Sequence, residues 1–320
     1  MMRFLVGVLA LLVVIPAMGQ SSFPNQPITL IVPYAPGGAA DIVARPLATA
    51  LTRELKQPVL VVNQAGASGA IGTRAVATSR PDGYTLLVGA VQMSILPEVD
   101  RLFGKAPAYQ VDDFVGIARL TADPVVFLVA PNSPLKTMRD VLEKAKQQPG
   151  KLTYSSGGVY SGIHLPFEVF AQQAGIQMLH VPYKGGGPSM TAMLGGEVDM
   201  TAQVPGVAYQ HVAAGKVVAI AHSGATRLQD FPTVPSLKDL GYDVEFYLWV
   251  GLFAPRGVPA DVMSQLQGAA ARAMKSREIE NFASATRTRL GFQDSSAFNA
   301  WWKVDAEALT RTVGKIGKVQ

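Results

Sequence analysis

Several strand-like runs in this chain end in a glycine-rich turn and pass at once into a helical pattern, which restricts the chain to an open α/β fold. The clearest case is Ile28–Val32, an apolar β-branched run followed by Pro33-Tyr34-Ala35-Pro36-Gly37-Gly38-Ala39-Ala40-Asp41. Such a turn lies at the carboxyl end of its strand, where open α/β sheets bind ligands. The first N–H groups of the following helix lack intrahelical partners and carry the positive end of its dipole, so an anion suits them. Gly37 and Gly38 allow φ > 0 and a close approach of backbone to ligand. The stretch reads as a binding geometry rather than a catalytic one.

The alternation continues. After Val43, Leu47, Leu51 and Leu55, spaced as one helical face with Pro46 expected to kink the helix or delay its start, comes a strand at Val59–Asn63. The turn Gly66–Gly72, a helix to about Ser79, a Pro81-Asp82-Gly83 turn and a strand at Tyr84–Val88 follow. Residues 95–113 show no clear period and are expected as a surface excursion. Val115–Leu120 and Val125–Ala130 read as two strands broken by Asp123-Pro124, carrying the chain from one lobe to another. The pattern then restarts with a capping box at Thr137-Met138-Arg139-Asp140. Further turns stand at Ser155–Gly162, at Pro182–Pro188 and at Gln203–Gly206. Two α/β lobes with a cleft between them are the natural inference. Phe246–Phe253 and three closing helices would return to the first lobe.

Composition bounds the rest. The chain has 320 residues, 48% hydrophobic and 16% charged, enough for one large or two medium α/β domains and too apolar for disorder. Residues 1–19 read as a secretory signal peptide: Arg3, the apolar run Phe4–Ile15, and small residues at Ala17 and Gly19 before the cut. That run is shorter than the ~20 residues a membrane span needs. With no cysteine there is no disulfide framework, thiol nucleophile or lipidated cysteine, so a soluble periplasmic protein is expected. The net charge of +5 comes from scattered Lys and Arg without interleaved aromatics, which argues against nucleic acid and is compatible with small anions.

Gly66-x-x-Gly69-x-x-Gly72 departs from the dinucleotide spacing, and strand Tyr84–Val88 ends without a ribose-binding acid. Ser161, His164 and Glu168 share a helical face and mimic a Ser–His–acid row, but no G-x-S-x-G accompanies them. The histidines lack metal-ligand spacing, so neither metal nor cofactor is expected. Trp249, in an apolar strand, is expected to pack in the core. Lys184, ahead of Gly185-Gly186-Gly187-Pro188, offers either a ligand-facing charge or a solvated lysine on a turn exposing backbone donors.

Taken in order, Ile31–Asp41, Pro81-Asp82-Gly83-Tyr84-Thr85-Leu86-Leu87, His180-Val181-Pro182-Tyr183-Lys184-Gly185, Leu194-Gly195-Gly196-Glu197-Val198-Asp199, Ala214-Gly215-Lys216 and Phe231-Pro232-Thr233-Val234-Pro235 resemble the solute receptors of tripartite tricarboxylate transporters, the Bug or TctC-like proteins. The resemblance implies a type II periplasmic-binding-protein fold: two lobes of open sheet with flanking helices, closing on a ligand held in the interlobe cleft. The first lobe would span 23–122 and 230–320, the second 123–229. The ligand would be a small carboxylate, handed by a monomeric, non-enzymatic receptor to membrane permease subunits. By resemblance, Tyr34, Ala35, Gly37, Gly38 and Ala39 hold waters that bridge to the ligand. Ala67, Ser68 and Gly69 would grip one carboxylate; Ser156, Gly157, Gly158 and Ser161, with His164 a turn further, would grip the other. This chain departs from the pattern at Tyr160 and Ser68, where glycine is commoner, and at Gln203, an amide where some members carry an acid. An exported hydrolase using Ser161 and His164 is the competing reading, and a sensor subunit of the same fold a third.

Overall fold

A computed structural model describes residues 23–319 as two lobes, each built on its own mixed sheet. The signal peptide expected at 1–19 lies outside the described residues. β1 (Ile28–Val32) is buried almost end to end, as its unbroken apolar run requires of a strand covered on both faces. It leads into α1 (Ala39–Leu55), which buries Val43, Leu47 and Leu51. The late start anticipated from Pro46 does not occur: α1 begins at Ala39 and runs through the proline. One hydrogen bond to Ile42 is forfeited, and burial of the flanking apolar stripe offsets it. β2 (Val59–Asn63), α2 (Ala70–Ala77) and β3 (Thr85–Ala90) complete a parallel β2-β1-β3 unit.

The surface excursion anticipated at 95–113 is corrected in part. α3 (Gln92–Leu102) occupies its beginning, and the first half of that helix, including Pro97, is buried. Periodicity missed it because tertiary contacts hold it: the Tyr109 hydroxyl donates to the Gln92 carbonyl at 2.9 Å, and Trp302 Nε1 donates to Ser94 Oγ at 2.8 Å. β4 (Phe114–Pro124) takes in Asp123-Pro124, so the break expected there falls one residue later, at Val125, before the next strand opens at Val126.

The second lobe contains β5 (Val126–Val129), α4 (Met138–Gln147), β6 (Thr153–Ser156), α5 (His164–Ala174), β7 (Leu179–Pro182), α6 (Gly186–Leu194), β8 (Met200–Gln203), α7 (Pro205–Ala213) and β9 (Val218–His222). The capping box forms as expected, with Asp140 N–H donating to Thr137 Oγ1 and Thr137 N–H to Asp140 Oδ2. The chain then returns through β10 (Tyr247–Pro255), α8 (Ala260–Ala273), α9 (Arg277–Thr286), the short strand β11 (Leu290–Gln293) and α10 (Ser295–Ile316). The sheet orders are β11-β4-β10-β3-β1-β2 and β7-β6-β8-β5-β9. Trp249 packs in the first core against Phe253, Phe298 and Trp302, its Nε1 donating to Asp305 Oδ2 at 2.8 Å.

Asp123 sits where the chain leaves the first sheet, almost fully buried, its Oδ1 accepting from the Arg289 N–H at 3.1 Å. Burial pushes its carboxyl up to about 7, and the Arg289 N–H and charge only partly oppose this. The folded state therefore binds this proton more tightly than the unfolded chain. Its contribution to stability is present below about pH 4 and lost as pH rises through about 7. Asp123→Asn keeps the acceptor and removes the titration. Chemical denaturation at pH 5 and pH 8 should show the variant gaining about 2–3 kcal/mol on the wild type across that interval; a pH-independent difference would rule the account out.

Candidate ligand-binding site between the lobes

The turns at the carboxyl ends of β1, β2 and β3 face those after β6 and β7 across the cleft. In the first lobe, Asp41 organises the β1–α1 turn. Its carboxylate accepts from the Gly37 N–H at 2.9 Å, from Arg45 through two nitrogens at 3.0 and 2.8 Å, and from Asn63 Nδ2 at 2.9 Å. Asn63 Nδ2 also reaches the Tyr34 carbonyl at 3.0 Å. Burial raises the Asp41 carboxyl, but the hydrogen bonds from Arg45, Gly37 and Asn63 outweigh it and hold the group below its ordinary value. The generic anion site read into this turn is thus partly occupied by the chain's own carboxylate. The N–H groups of Ala39 and Ala40, in the first helical turn, remain without intrahelical partners and border the cleft.

The β2–α2 turn is strained. Ala67 and Ser68 have φ of 47° and 54°, between Gly66 and Gly69 at 139° and 100°. Two non-glycine residues held left-handed cost roughly 1–2 kcal/mol each, and such strain concentrates at functional turns. The Tyr34 hydroxyl donates to the Ser68 carbonyl at 3.0 Å and ties this turn to the first.

In the second lobe, Ser156 Oγ lies 2.9 Å from the Gly158 carbonyl oxygen, accepts from the Gly158 N–H at 3.1 Å and lies 2.7 Å from His180 Nε2. His180 is pushed down to about 4 by burial. His164, fully buried against Tyr154 and His180, is held well below its ordinary value by burial and by the neighbouring His180. Both imidazoles are neutral at pH 7, so the 3.5 Å approach of His164 Nε2 to Glu168 is not an ion pair. His164 Nδ1 accepts from the Tyr160 N–H at 3.1 Å. With Nε2 on the Glu168 side, only Nδ1 would be left to act on Ser161, and this bond occupies it, so the Ser–His–acid row does not form. Ser161 Oγ instead accepts from the His164 N–H at 3.3 Å and has no acceptor for its own proton among the described residues.

The lobes meet through a seam of glycines. A Cβ at Gly187 would lie 2.0 Å from the Pro36 carbonyl oxygen, and one at Gly38 3.1 Å from the Gly186 nitrogen. At Gly158 it would meet Ser68 Oγ at 2.5 Å, and at Gly162 Val91 at 2.5 Å. One backbone hydrogen bond, from Ala35 N–H to the Lys184 carbonyl at 2.9 Å, crosses the seam. The volume enclosed there is about 30 Å³, on the scale of one or two waters. An organic acid enters only if the lobes part.

Of the residues expected at the site, Tyr34, Gly38, Ala39, Gly157 and Ser161 line this cavity. Ala35, Gly37, Ser68 and Gly158 belong to the seam beside it, and Ala67 is exposed at its edge. Gly69 packs behind, against Tyr34 and Gln92. Ser156 and His164 lie beneath the second-lobe turn as its supports. Tyr160 points away: its hydroxyl donates to the Gly317 carbonyl at 2.7 Å and accepts from the Val319 N–H, tying down the chain's end. Lys184 contributes its carbonyl to the seam while its side chain is exposed, and Gln203 Nε2 is bound to the Gly186 carbonyl at 2.9 Å. Sequence reasoning missed Val91, Gln92, Ile163 and Leu248, which complete the walls. Gln92 follows a β-strand at its carboxyl end, the one signal that pointed to it, but the glycine nearby, Gly89, lies inside β3 and not in the turn.

Comparison with known proteins gives the same picture. The family described as tripartite tricarboxylate transporter family receptor matches residues 43–298. A relative from Cupriavidus necator, the UPF0065 protein in the gbd 5′ region, is 37% identical over 264 residues, 82% of this chain and 79% of its own length. The periplasmic binding protein BugD superposes with a TM-score of 0.86 at 27% identity, covering 92% of this chain and 99% of that one. MatC from Rhodopseudomonas palustris, solved with bound malate, superposes at 0.80 with 26% identity, covering 92% and 99%. This chain belongs to the tripartite tricarboxylate transporter receptor family, two-lobed periplasmic solute-binding proteins rather than enzymes.

Proposed function

We propose that this protein captures a small carboxylate between its lobes in the periplasm and presents the closed form, as a monomer, to the membrane subunits of a tripartite tricarboxylate-type transporter. The observation that carries the reading is the character of the cavity walls: Ser161 lines it from the second lobe, Ala39 and Ala40 with their unpaired first-turn N–H groups line it from the first, and the Tyr34 phenol is the one ionisable side chain among the lining residues. Neutral, preorganised donors suit a carboxylate, because hydrogen bonds to an ionised acceptor are stronger than neutral ones. The malate bound to MatC supports the same ligand class. Arg3, the apolar run Phe4–Ile15 and Gly19 support export through a cleaved leader.

Closure over the ligand would convert binding energy into a shape the permease can read. Saturating succinate, malate or adipate should raise the melting temperature by several degrees, since a ligand that binds only the folded form stabilises it by roughly 3–4 kcal/mol at 100–1,000 times its Kd. A flat response across mono-, di- and tricarboxylates would remove the reading.

The seam supplies a second test. Gly187 lies in the first turn of α6, where alanine is a better helix former, and only the opposite lobe crowds its Cβ. Gly187→Ala should leave the ligand-free melting temperature unchanged or slightly raised, while calorimetry shows at least tenfold weaker binding of the best acid. Wild-type affinity in this variant would mean that full closure is not required.

A further inference from the structure

Gln92 is fully buried at the first position of α3 and lines the cavity from the first lobe, while Ser161 and Gly157 line it from the second. Its amide orientation is fixed, because Oε1 accepts from the Ala90 N–H at 3.1 Å and a flipped amide would set N–H against N–H. Its backbone is held as well, the Gln92 carbonyl accepting from the Tyr109 hydroxyl. Nε2 has no hydrogen-bond partner among the described residues. Buried amide donors are rarely left unpaired, and one that lines a ligand cavity is free for a water or a ligand oxygen.

We infer that the Gln92 side-chain amide is the selectivity-determining group of the cleft, donating to a second oxygen acceptor of the bound acid while the Ser161 wall holds its carboxylate. The ligand class is narrowed accordingly, to acids with a second oxygen function, such as dicarboxylates or hydroxy acids, and without an ammonium group. An ammonium would find no acidic side chain among the lining residues and would lose its hydration without compensation. Between the two polar ends, Val91, Ile163 and Leu248 offer an apolar wall to a hydrocarbon segment. A site built to hydrogen-bond one oxygen also rejects the analogue that lacks it, since the protein donor is then stranded. This inference rests on the carboxylate reading above.

Matched acids and two variants test it. Calorimetry of the full protein with succinate against butyrate, adipate against hexanoate, and aspartate should show the two-ended acids favoured by about 10- to 100-fold, with aspartate excluded. Gln92→Leu should abolish that preference by weakening the diacids to the affinity of the monoacids or below. Gln92→Glu keeps the acceptor for Ala90 and the side-chain volume, and can donate only when protonated. It should match the wild type near pH 6 and bind the diacids at least tenfold more weakly by pH 8.5. The wild type should be flat over that range, because the titratable groups beside Gln92, Tyr34 and Tyr109, are phenols pushed upward by burial. Diacid binding that both variants leave unchanged at pH 8.5 would overturn the Gln92 assignment alone. Failure of the wild type to bind any of these acids would overturn the carboxylate reading, and the inference with it.

Discussion

Two polypeptide backbones in contact leave no room for a Cβ, and the architecture depends on that exclusion. Gly38 faces Gly186, and Gly187 presses on the Pro36 carbonyl. Glycine loses more conformational entropy on folding than other residues and is a poor helix former, so Gly186 and Gly187 in the first turn of α6, after Gly185 at its N-cap, are costly to the second lobe by themselves. The compensation is approach distance. Backbone N–H groups of one lobe come within reach of whatever the other lobe holds, and at Gly38, Gly186 and Gly187 backbone meets backbone, with Ser68 and Val91 adding side-chain contacts at Gly158 and Gly162.

Such a seam works only if the turns around it do not move, and each lobe solves this differently. The first uses a charge: the buried Asp41 carboxylate gathers the Gly37 N–H, Asn63 and the exposed Arg45 into one knot. The second uses neutral groups: Ser156 is held by Gly158 and His180, and the Tyr160 N–H is held by His164. The neutrality of both histidines matters, since a cation beneath the second turn would change the field at the cavity. The rigid turns leave motion to the connections between the sheets, where Asp123 and Pro124 end β4 and Tyr247 begins the return.

Much of this was readable in the chain. Ile28–Val32 and its glycine turn announced a strand, a turn and a helix with a ligand at their junction, and repetition of that unit announced two lobes. Motif order from Ile31 to Pro235 then identified the family. Side-chain direction was harder to read. Tyr160 looked like a cleft residue, yet its left-handed backbone turns the ring toward Gly317. Lys184 offered either a ligand-facing charge or a solvated side chain; its side chain is exposed and its carbonyl joins the seam. Asp41 closes the first glycine turn in the sequence with no partner marked, and only the fold brings Asn63 to it. Gln92 escaped notice because it belongs to a helix that Pro97 disguised, and an unpaired amide becomes visible only when every neighbour has been placed.

The account stands on lobe closure through the glycine seam, and the distance between the lobes tests it most directly. The chain has no cysteine, so cysteines introduced at exposed Arg74 on α2 and exposed Gln147 on α4 take a donor and an acceptor dye without background labelling. Single-molecule energy transfer should then show a distribution that collapses to one narrow closed population when the stabilising acid is added, and Gly187→Ala should prevent that collapse. Identical distributions with and without the acid, in a protein shown to bind it, would contradict the account.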